Sequence, residues 1–543
     1  MRNKGRTALA LLAAVALMPM TATAAGWEEV RQKLQTGASF TTADGQTSVT
    51  KQADGSYVIS GGIFPEIVSL NENSAPSDGT LELHIQNVTF QQSLSLDANT
   101  AGRGLDVTLD ANTSTRKLSV SAANGGHISV TNAGRVTGQA PNEGLISNIM
   151  GEGSYGEVTN AQGGVISGQM VSYAGNGANQ KVVNDGIVMR DMRTGSCYYG
   201  TGGQKDFSDM DSKAGGSTET INNGTVRGHF GGWGAGGPAE LHVTNSKGAV
   251  TGKISVDSYD GGVCSVTNDG RVNEGIGVYI EAEMEPATLT VTNNAEVNGN
   301  IRVGLGKNSV GEVYNRKNGV VRGNLYVWSN GKNAKLVSIN EGRYIPFKYG
   351  WAGLKMPDIE MTAAALAEED EADKTEPGEP GGGLLIADDT LGGSVRIENY
   401  GQAEGVKLSN TAIFAQMGGT FGAIESTEGA YKTPGEEKPG DAILAEIETS
   451  SNPTNEEMLA RLGALGISAQ AGEHQVLIKT KGADGAAEYR LMKVQIPEGG
   501  LKPGATLDTS NLPKTGDAAR PMLWGAALLT CAGAFAYMKR KKA

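Results

Sequence analysis

Aromatic and charged residues are scarce in this chain. Only 5% of its 543 residues are Phe, Trp or Tyr, and only 19% are charged, whereas glycine occurs 79 times. This composition argues against packed helical bundles, because glycine is costly inside helices and favours turns. We therefore expect an all-β fold with many turns, in a chain long enough for several domains.

Basic residues are also in deficit. Lys and Arg number 46 against 59 for Asp and Glu, which gives a formal net charge of −13. No cluster of basic residues occurs outside the last few positions of the chain. Because nucleic-acid binding depends on clustered Lys and Arg, we expect no nucleic-acid partner.

Cysteine occurs only three times, and Cys531 lies in a C-terminal apolar segment. Cys197 and Cys264 could form a disulfide in an oxidising compartment. Their wide separation in a repetitive sequence favours free or poorly paired thiols instead. No CxxC motif and no Cys/His metal pattern is present, so we expect neither a metal site nor a cofactor.

The N-terminus has the order of a secretory signal peptide. A positively charged start without acids is followed by an apolar run, 8–18, and then by small residues. The run is too short to span a bilayer, which needs about 20 residues. We therefore predict a signal peptide over 1–24, cleaved between Ala24 and Ala25.

The C-terminus combines three features. The first is a pentapeptide made of Leu512, Pro513, Lys514, Thr515 and Gly516. An apolar segment, 522–538, and a basic tail, 539–542, follow it. Such an apolar segment is expected to enter the membrane while the basic residues stay on the cytoplasmic side. The chain is then held in place while an enzyme acts on the outer side.

This arrangement resembles the sorting signal of LPxTG cell-wall proteins of Gram-positive bacteria, which are substrates of the transpeptidase sortase. The resemblance implies that sortase cleaves between Thr515 and Gly516 and passes the Thr515 carbonyl to an amine of a peptidoglycan cross-bridge. The implied partners are sortase and, covalently, peptidoglycan. The implied location is the extracellular face of the cell wall. An ordinary single-pass membrane anchor is the alternative.

A short phrase built around asparagine recurs through the middle of the chain, as at 130–138 and 266–272. From Asn132 to Asn340, successive asparagines lie 22 to 38 residues apart, mostly in the low twenties. The clear copies contain Asn132, Asn160, Asn184, Asn222, Asn245, Asn268, Asn293 and Asn315, and weaker copies contain Asn340 and Asn399.

The phrase predicts stacked β-strands. Its apolar and polar residues alternate, which is typical of strands, and no helical stretch separates the copies, which argues against leucine-rich and βαβ repeats. A unit of about 22 residues suits a parallel β-helix, whose coils stack at roughly 4.8 Å. Similar phrases occur in β-helical surface adhesins and autotransporter passengers, and this stretch resembles them.

Two residues of the phrase have predicted structural roles. The glycine that follows the asparagine, as Gly186 follows Asn184, is expected to provide a left-handed turn conformation. The asparagines are expected to form an internal ladder, hydrogen-bonded to one another and to the turn backbone. A row that binds a metal or a sugar is the alternative.

The predicted parallel β-helix solenoid covers 25–427. An amphipathic helix at 27–35 is expected to cap it, because an open strand edge invites aggregation. Acidic residues and prolines indicate a disordered insertion at about 357–385. The remaining predicted parts are a linker at 428–440, a small α+β module at 441–497 with a helix after Thr454, a wall-proximal tether at 498–511, the sorting motif at 512–516, and a transmembrane segment with its basic tail at 517–543, which sortase would remove.

Side chains that could carry chemistry are few. Arginines recur in the rungs with few acids beside them, at Arg135, Arg227, Arg271, Arg302 and Arg322. An aromatic group could stack on sugars, although packing is expected for it: Tyr344, Phe347, Tyr349 and Trp351. Three acids could hold calcium, although a solvated loop is expected: Asp206, Asp209 and Asp211.

We therefore expect a surface protein without catalytic residues, an adhesin or scaffold whose partner is a host or environmental glycan or protein. The alternative is a surface-anchored polysaccharide lyase or glycoside hydrolase, because parallel β-helices carry those activities too. A hydrolase of this kind needs two facing carboxylates, and the histidines match no catalytic triad.

Overall fold

The computed structural model describes residues 26–77, 79–140, 143–196, 215–235, 240–259, 262–281, 286–346, 382–389, 393–409, 411–427 and 443–504. These residues are 59% strand and 5% helix and form a β-solenoid of about 12 turns. The predicted all-β solenoid is thus confirmed. Among these residues no helix is long and apolar enough to cross a membrane.

Several predicted features lie outside the described residues. They are the signal peptide with Ala24 and Ala25, the acids at 206–211, Cys197, most of the acidic insertion, the linker at 428–440, the end of the tether, the whole sorting motif, and the segment at 517–543.

Forty strands are defined within the described residues. In chain order they are β1 (Phe40–Thr41), β2 (Ser48–Lys51), β3 (Tyr57–Ser60), β4 (Ile63–Phe64), β5 (Val68–Asn71), β6 (Thr80–Gln86), β7 (Thr89–Ala98), β8 (Gly104–Leu109), β9 (Ser114–Ala122), β10 (His127–Asn132), β11 (Arg135–Val136), β12 (Gly144–Met150), β13 (Tyr155–Asn160), β14 (Val165–Ile166), β15 (Gln169–Gly175), β16 (Asn179–Asn184), β17 (Ile187–Val188), β18 (Met192–Ser196), β19 (Ser217–Asn222), β20 (Thr225–Ala235), β21 (Glu240–Asn245), β22 (Val250–Tyr259), β23 (Gly262–Asn268), β24 (Arg271–Glu281), β25 (Ala287–Asn293), β26 (Glu296–Val297), β27 (Asn300–Leu305), β28 (Ser309–Asn315), β29 (Val320–Arg322), β30 (Leu325–Ser329), β31 (Lys335–Asn340), β32 (Arg343–Ile345), β33 (Leu384–Asp388), β34 (Ser394–Asn399), β35 (Gly405–Leu408), β36 (Ile413–Gln416), β37 (Ile424–Ser426), β38 (Ile443–Glu448), β39 (Gly472–Lys481) and β40 (Ala487–Ile496).

Each coil contributes one strand to a first sheet, called sheet A. Its members pair in parallel and in exact register, so that Asn132 lies opposite Asn160 and Asn160 opposite Asn184. Side chains alternate between the two faces of such a strand. Apolar residues such as Val130 and Val158 therefore lie buried in the interior, while their neighbours point outward.

The other side of each coil forms a second sheet, called sheet B. In some coils it is one long strand, as in β20, β22 and β24, which pair in parallel with a shift in register near the start. In others the same path is divided into a short and a longer strand, as in β14 and β15. The buried faces of sheets A and B enclose a continuous hydrophobic core.

The corner glycines have a different role from the predicted one. Gly186, Gly224 and Gly270 are not among the residues with positive φ. A Cβ at Gly224 would instead lie 2.1 Å from the carbonyl oxygen of Gly186 in the previous coil. The predicted left-handed turn was wrong at these positions, because glycine is required there by the close stacking of coils. It is confirmed after Asn160 and Asn245, where Gly163 and Gly248 both have φ 88°. Left-handed asparagines occur at another corner, for example Asn124 with φ 52°.

The sheet A edges of the solenoid unit are covered by antiparallel strands. At the start, β2 pairs antiparallel with β3. At the end, β40 pairs antiparallel with β36, placing Phe414 opposite Tyr489. The Arg396 side chain contacts Glu488 of β40 at 2.7 Å. Pairing removes the free hydrogen-bonding groups that make an exposed strand edge prone to aggregation.

A short helix, α1 (Trp27–Leu34), precedes the first strands and buries Trp27, Val30 and Leu34. The Trp27 ring meets the Phe64 ring edge-on, with centroids 5.3 Å apart. These side chains belong to the same hydrophobic cluster as the interior of the solenoid.

The described chain divides into two compact units, and residues 443–451 and 474–493 belong to the solenoid unit. The second unit contains 452–473 and 494–504. Its helix, α2 (Asn455–Ala464), begins with a capping box formed by Thr454 and Glu457. Two hydrogen bonds join the Asn455 side chain to the backbone of Gln495 within this unit.

Candidate ligand-binding face and the asparagine column

The repeated asparagines form one hydrogen-bonded column in the interior of the solenoid. Each side chain is at most 1% exposed. The Nδ2 atom of each donates to the Oδ1 atom of the next, at 2.8 to 3.0 Å. In order, the members are Asn132, Asn160, Asn184, Asn222, Asn245, Asn268, Asn293, Asn315, Asn340 and Asn399.

The same asparagines also fasten the corner of the next coil. The backbone carbonyl of Asn160 accepts hydrogen bonds from the N–H groups of Asp185 and Gly186, at 2.8 and 3.1 Å. The Nδ2 atom of Asn184 also contacts the carbonyl of Thr225 at 3.3 Å. All of these side chains are buried, and of their polar atoms only the Oδ1 atom of Asn132, at the start of the column, lacks a hydrogen-bond partner among the described residues. The column therefore offers nothing to a ligand in solvent.

The outer face of sheet B carries a second column, made of aromatic rings. Tyr173, Trp233, Tyr279 and Trp328 occupy one register position, and all four are partly exposed. They lie on alternate coils. Neighbouring strands are about 4.8 Å apart, so the backbone positions of successive rings are separated by about 9.6 Å. We call these four residues the aromatic column.

The coils between the rings carry small or acidic residues at the same position. Gly195 lies between Tyr173 and Trp233, whose ring centroids are 5.6 Å apart. A Cβ at Gly195 would contact both of these rings, at 3.1 and 3.3 Å. At Gly304 a Cβ would lie 2.3 Å from the Trp328 indole. Tyr173 and Trp233 therefore lean over Gly195, and Trp328 leans over Gly304. We call these the two aromatic surfaces, one at each glycine.

Asp257 lies midway between the two aromatic surfaces. Its register partners are Trp233 on one side and Tyr279 on the other. Burial raises the pKa of the Asp257 carboxyl above its ordinary range, and nearby Lys253 offsets part of that shift. A half-buried carboxyl between two rings is suited to accept or donate hydrogen bonds to a polar ligand.

A parallel column beside the rings contains a gap in the surface. Its members Ser255, Gly277 and Arg302 lie opposite one another in register on successive coils. A Cβ built at Gly277 would meet no atom of the described residues within 4 Å. The Arg302 guanidinium lies 5.2 Å from the centre of the Tyr326 ring. Polar groups thus border an open trough next to Tyr279.

The arginines named from the sequence do not converge on one site. Arg271 and Arg322 both approach Glu296, at 4.0 and 3.0 Å, on partly exposed surface. Arg135 is in the short strand β11 and Arg227 is in β20. All five lie in strands of sheet B, and Arg302 is the nearest of them to the aromatic column, two residues before Gly304 in β27.

The aromatic group named from the sequence is only partly within the described residues. Tyr344 is fully buried, and burial raises the pKa of its hydroxyl. It therefore packs in the core, as expected for that residue, whereas Phe347, Tyr349 and Trp351 lie outside the described residues. Across the described ranges, no three His, Cys, Asp or Glu side chains gather where they could hold a metal ion.

Sequence analysis missed the aromatic column because its members are sparse. A usable signal exists, since each ring follows the column asparagine of its own coil by 11 or 13 residues, in alternate coils only. The chain matches no family model, no curated protein and no solved structure. The fold and the candidate face therefore stand on the geometry given above.

Proposed function

We propose that this chain is exported, attached by sortase to the peptidoglycan of a Gram-positive cell wall, and displays its solenoid as a non-enzymatic adhesin or scaffold. The observation that carries the proposal is the C-terminal order of sorting motif, apolar segment and basic tail. The charged start and short apolar run at 1–24 support export. The proposed attachment point is the carbonyl of Thr515.

The solenoid suits a displayed surface. The asparagine side chains of the column hydrogen-bond to one another in the interior and hold successive coils together. The side chains on the outer faces are therefore free to vary. Residues 498–511 are the proposed tether, which would reach at most about 50 Å when fully extended. Such a short tether would hold the end of the protein close to the wall.

The ends of the solenoid have proposed protective roles. We propose that α1 caps the first coil, which is supported by the burial of Trp27 and Leu34 and by the edge-on contact with Phe64. We propose that the second unit, 452–473 with 494–504, is the base of the protein nearest the wall, a smaller part of the chain than the α+β module expected at 441–497. The capping box at α2 supports its helical part.

The test of anchoring is a single substitution in the sorting motif. Thr515→Ala removes the residue whose carbonyl would be transferred, so the protein should move from the muramidase-released wall fraction to the membrane fraction or the medium. Thr509→Ala, six positions earlier in the same tail, is the matched control and should remain wall-linked. Immunoblots of fractionated cells measure both.

Two results would contradict the proposal. One is Thr515→Ala protein that still resists detergent and is released only by muramidase. The other is mass spectrometry of the native protein showing an intact C-terminus at Ala543.

A further inference from the structure

The aromatic column has a repeat that matches one class of ligand. We propose that it binds an extended β-1,4-linked glycan, lying along the stacking direction of the coils. This inference deepens the proposed surface function by naming the ligand class. It concerns Tyr173, Trp233, Tyr279 and Trp328, none of which is needed for anchoring.

The first argument is the spacing. Four coils separate Gly195 from Gly304, so the two aromatic surfaces are centred about 19 Å apart. Each sugar of an extended β-1,4-linked chain lengthens that chain by nearly the spacing between two stacked coils, which is about 4.8 Å. Neighbouring sugars are turned over relative to each other, so alternate sugars present the same face. Surfaces separated by an even number of coils therefore meet equivalent sugar faces.

The second argument is the chemistry between the rings. Aromatic faces pack against the C–H face of a sugar, and the sugar hydroxyls require polar partners. Asp257 lies midway between the aromatic surfaces. Ser255 and Arg302 border the trough at Gly277. The face thus alternates apolar and polar contacts along one line.

Other polymers fit this face less well. An extended peptide is usually bound through the hydrogen-bonding groups of a free strand edge, whereas the face of sheet B presents side chains. Nucleic acid is disfavoured by the net charge of −13, because its binding depends on neutralising phosphates.

The experiment measures oligosaccharide binding to the purified full chain by calorimetry. The probes are cellohexaose and chitohexaose, their disaccharides, and maltohexaose as an α-linked control of equal length. We expect at least one β-1,4-linked hexasaccharide to bind much more tightly than its disaccharide, because only the longer chain reaches both aromatic surfaces. Maltohexaose, which is curved, should not bind.

Two ring variants divide the site between its surfaces. Trp233→Ala and Trp328→Ala should each weaken hexasaccharide binding by roughly threefold to tenfold. Tyr314→Ala is the matched control, since this ring lies on sheet A beside Arg316, and it should leave binding unchanged.

A third variant keeps every ring. Gly277→Leu fills the trough, where an added Cβ meets no described residue within 4 Å, so the protein should fold normally and lose binding. Melting curves of all the variants separate loss of binding from loss of fold.

The outcomes are distinct. Failure of both β-1,4-linked hexasaccharides to bind, or binding that all three variants leave intact, would overturn the inference. If the protein cleaves the hexasaccharide and the ring variants do not, the binding site would be supported and the non-enzymatic part of the proposed function would be refuted. The wall fractionation of Thr515→Ala is independent of both results.

Discussion

The asparagine column allows a sharp comparison between two adjacent residues. Asn222 is fully buried, accepts from Asn184 at 2.8 Å and donates to Asn245 at 2.9 Å. Asn223 is exposed and donates to Asp185 at 2.7 Å. Substituting each by Ala removes the same atoms from two environments that differ in burial and in hydrogen-bond partners.

The expected loss of unfolding free energy in Asn222→Ala follows from the hydrogen-bonding groups that lose their partner. Asn222→Ala leaves the Oδ1 atom of Asn245 buried without its donor, which costs about 1–3 kcal/mol, and removes a net hydrogen bond worth about 1 kcal/mol. Asn184 retains a weaker contact to the carbonyl of Thr225 at 3.3 Å. We therefore expect a loss of about 2–4 kcal/mol, against less than about 1 kcal/mol for Asn223→Ala.

Urea unfolding of the full chain, followed by circular dichroism, measures the difference in unfolding free energy. Hydrogen exchange locates it, because a solenoid can open locally and each coil contacts only its neighbours. Exchange should accelerate mainly in the coils that contain Asn184, Asn222 and Asn245. Equal destabilisation by both substitutions, or an unchanged exchange rate in these coils, would refute the reasoning.

Three further predictions concern single side chains. Gly224→Ala should lower the melting temperature, because its Cβ would lie 2.1 Å from the carbonyl oxygen of Gly186. Gly277→Ala should not, because its Cβ would meet no described residue within 4 Å. Differential scanning calorimetry compares the two variants, and equal melting temperatures would contradict the stacking argument. Burial raises the pKa of Asp389 from about 3.8 to about 6, so the folded chain holds this proton more tightly and stability should fall as pH rises from about 4 to 6. Asp389→Asn should flatten that part of a stability–pH profile, and a profile identical to that of the unsubstituted chain would count against it. Cys264 is buried and free, and burial raises the pKa of its thiol to about 12, so iodoacetamide should label it only as its coil unfolds; rapid labelling of the native chain, detected by mass spectrometry, would show otherwise.

The periodic part of the fold could be predicted because the repeat is periodic. Alternation of apolar and polar residues indicates strands, and the intervals between asparagines give the length of a coil. Residues such as Asn132 and Asn160 share a register position because each coil returns the chain to the same place. The two-sheet cross-section and its corners could be determined only from the structure.

The corner glycines show why a local rule was insufficient. Glycine after asparagine is a common signal for a left-handed turn, and that signal describes one chain segment alone. The constraint on Gly224 comes from the carbonyl oxygen of Gly186, which lies in the preceding coil. Contacts between coils are invisible to a reading of single phrases.

The aromatic column was missed for a related reason. Its rings are separated by dozens of residues and occupy alternate coils, and the path between asparagine and ring differs by two residues between copies. The difference lies at the corner before sheet B, which takes five residues from Asn160 to Val165 but three from Asn222 to Thr225, although Val165 and Thr225 share a register position. Only the paired strands show that Tyr173 and Trp328 belong to one line.

One coil shows what this architecture permits in evolution and engineering. Pro346 and Gly382 form an antiparallel bridge, and Asn340 still donates to Asn399 at 2.8 Å, although the sequence departs from the repeat between them. The chain can thus leave and re-enter at one corner while neighbouring coils remain aligned. Such a position is a natural insertion point, where foreign epitopes or whole domains could be displayed without redesigning the scaffold.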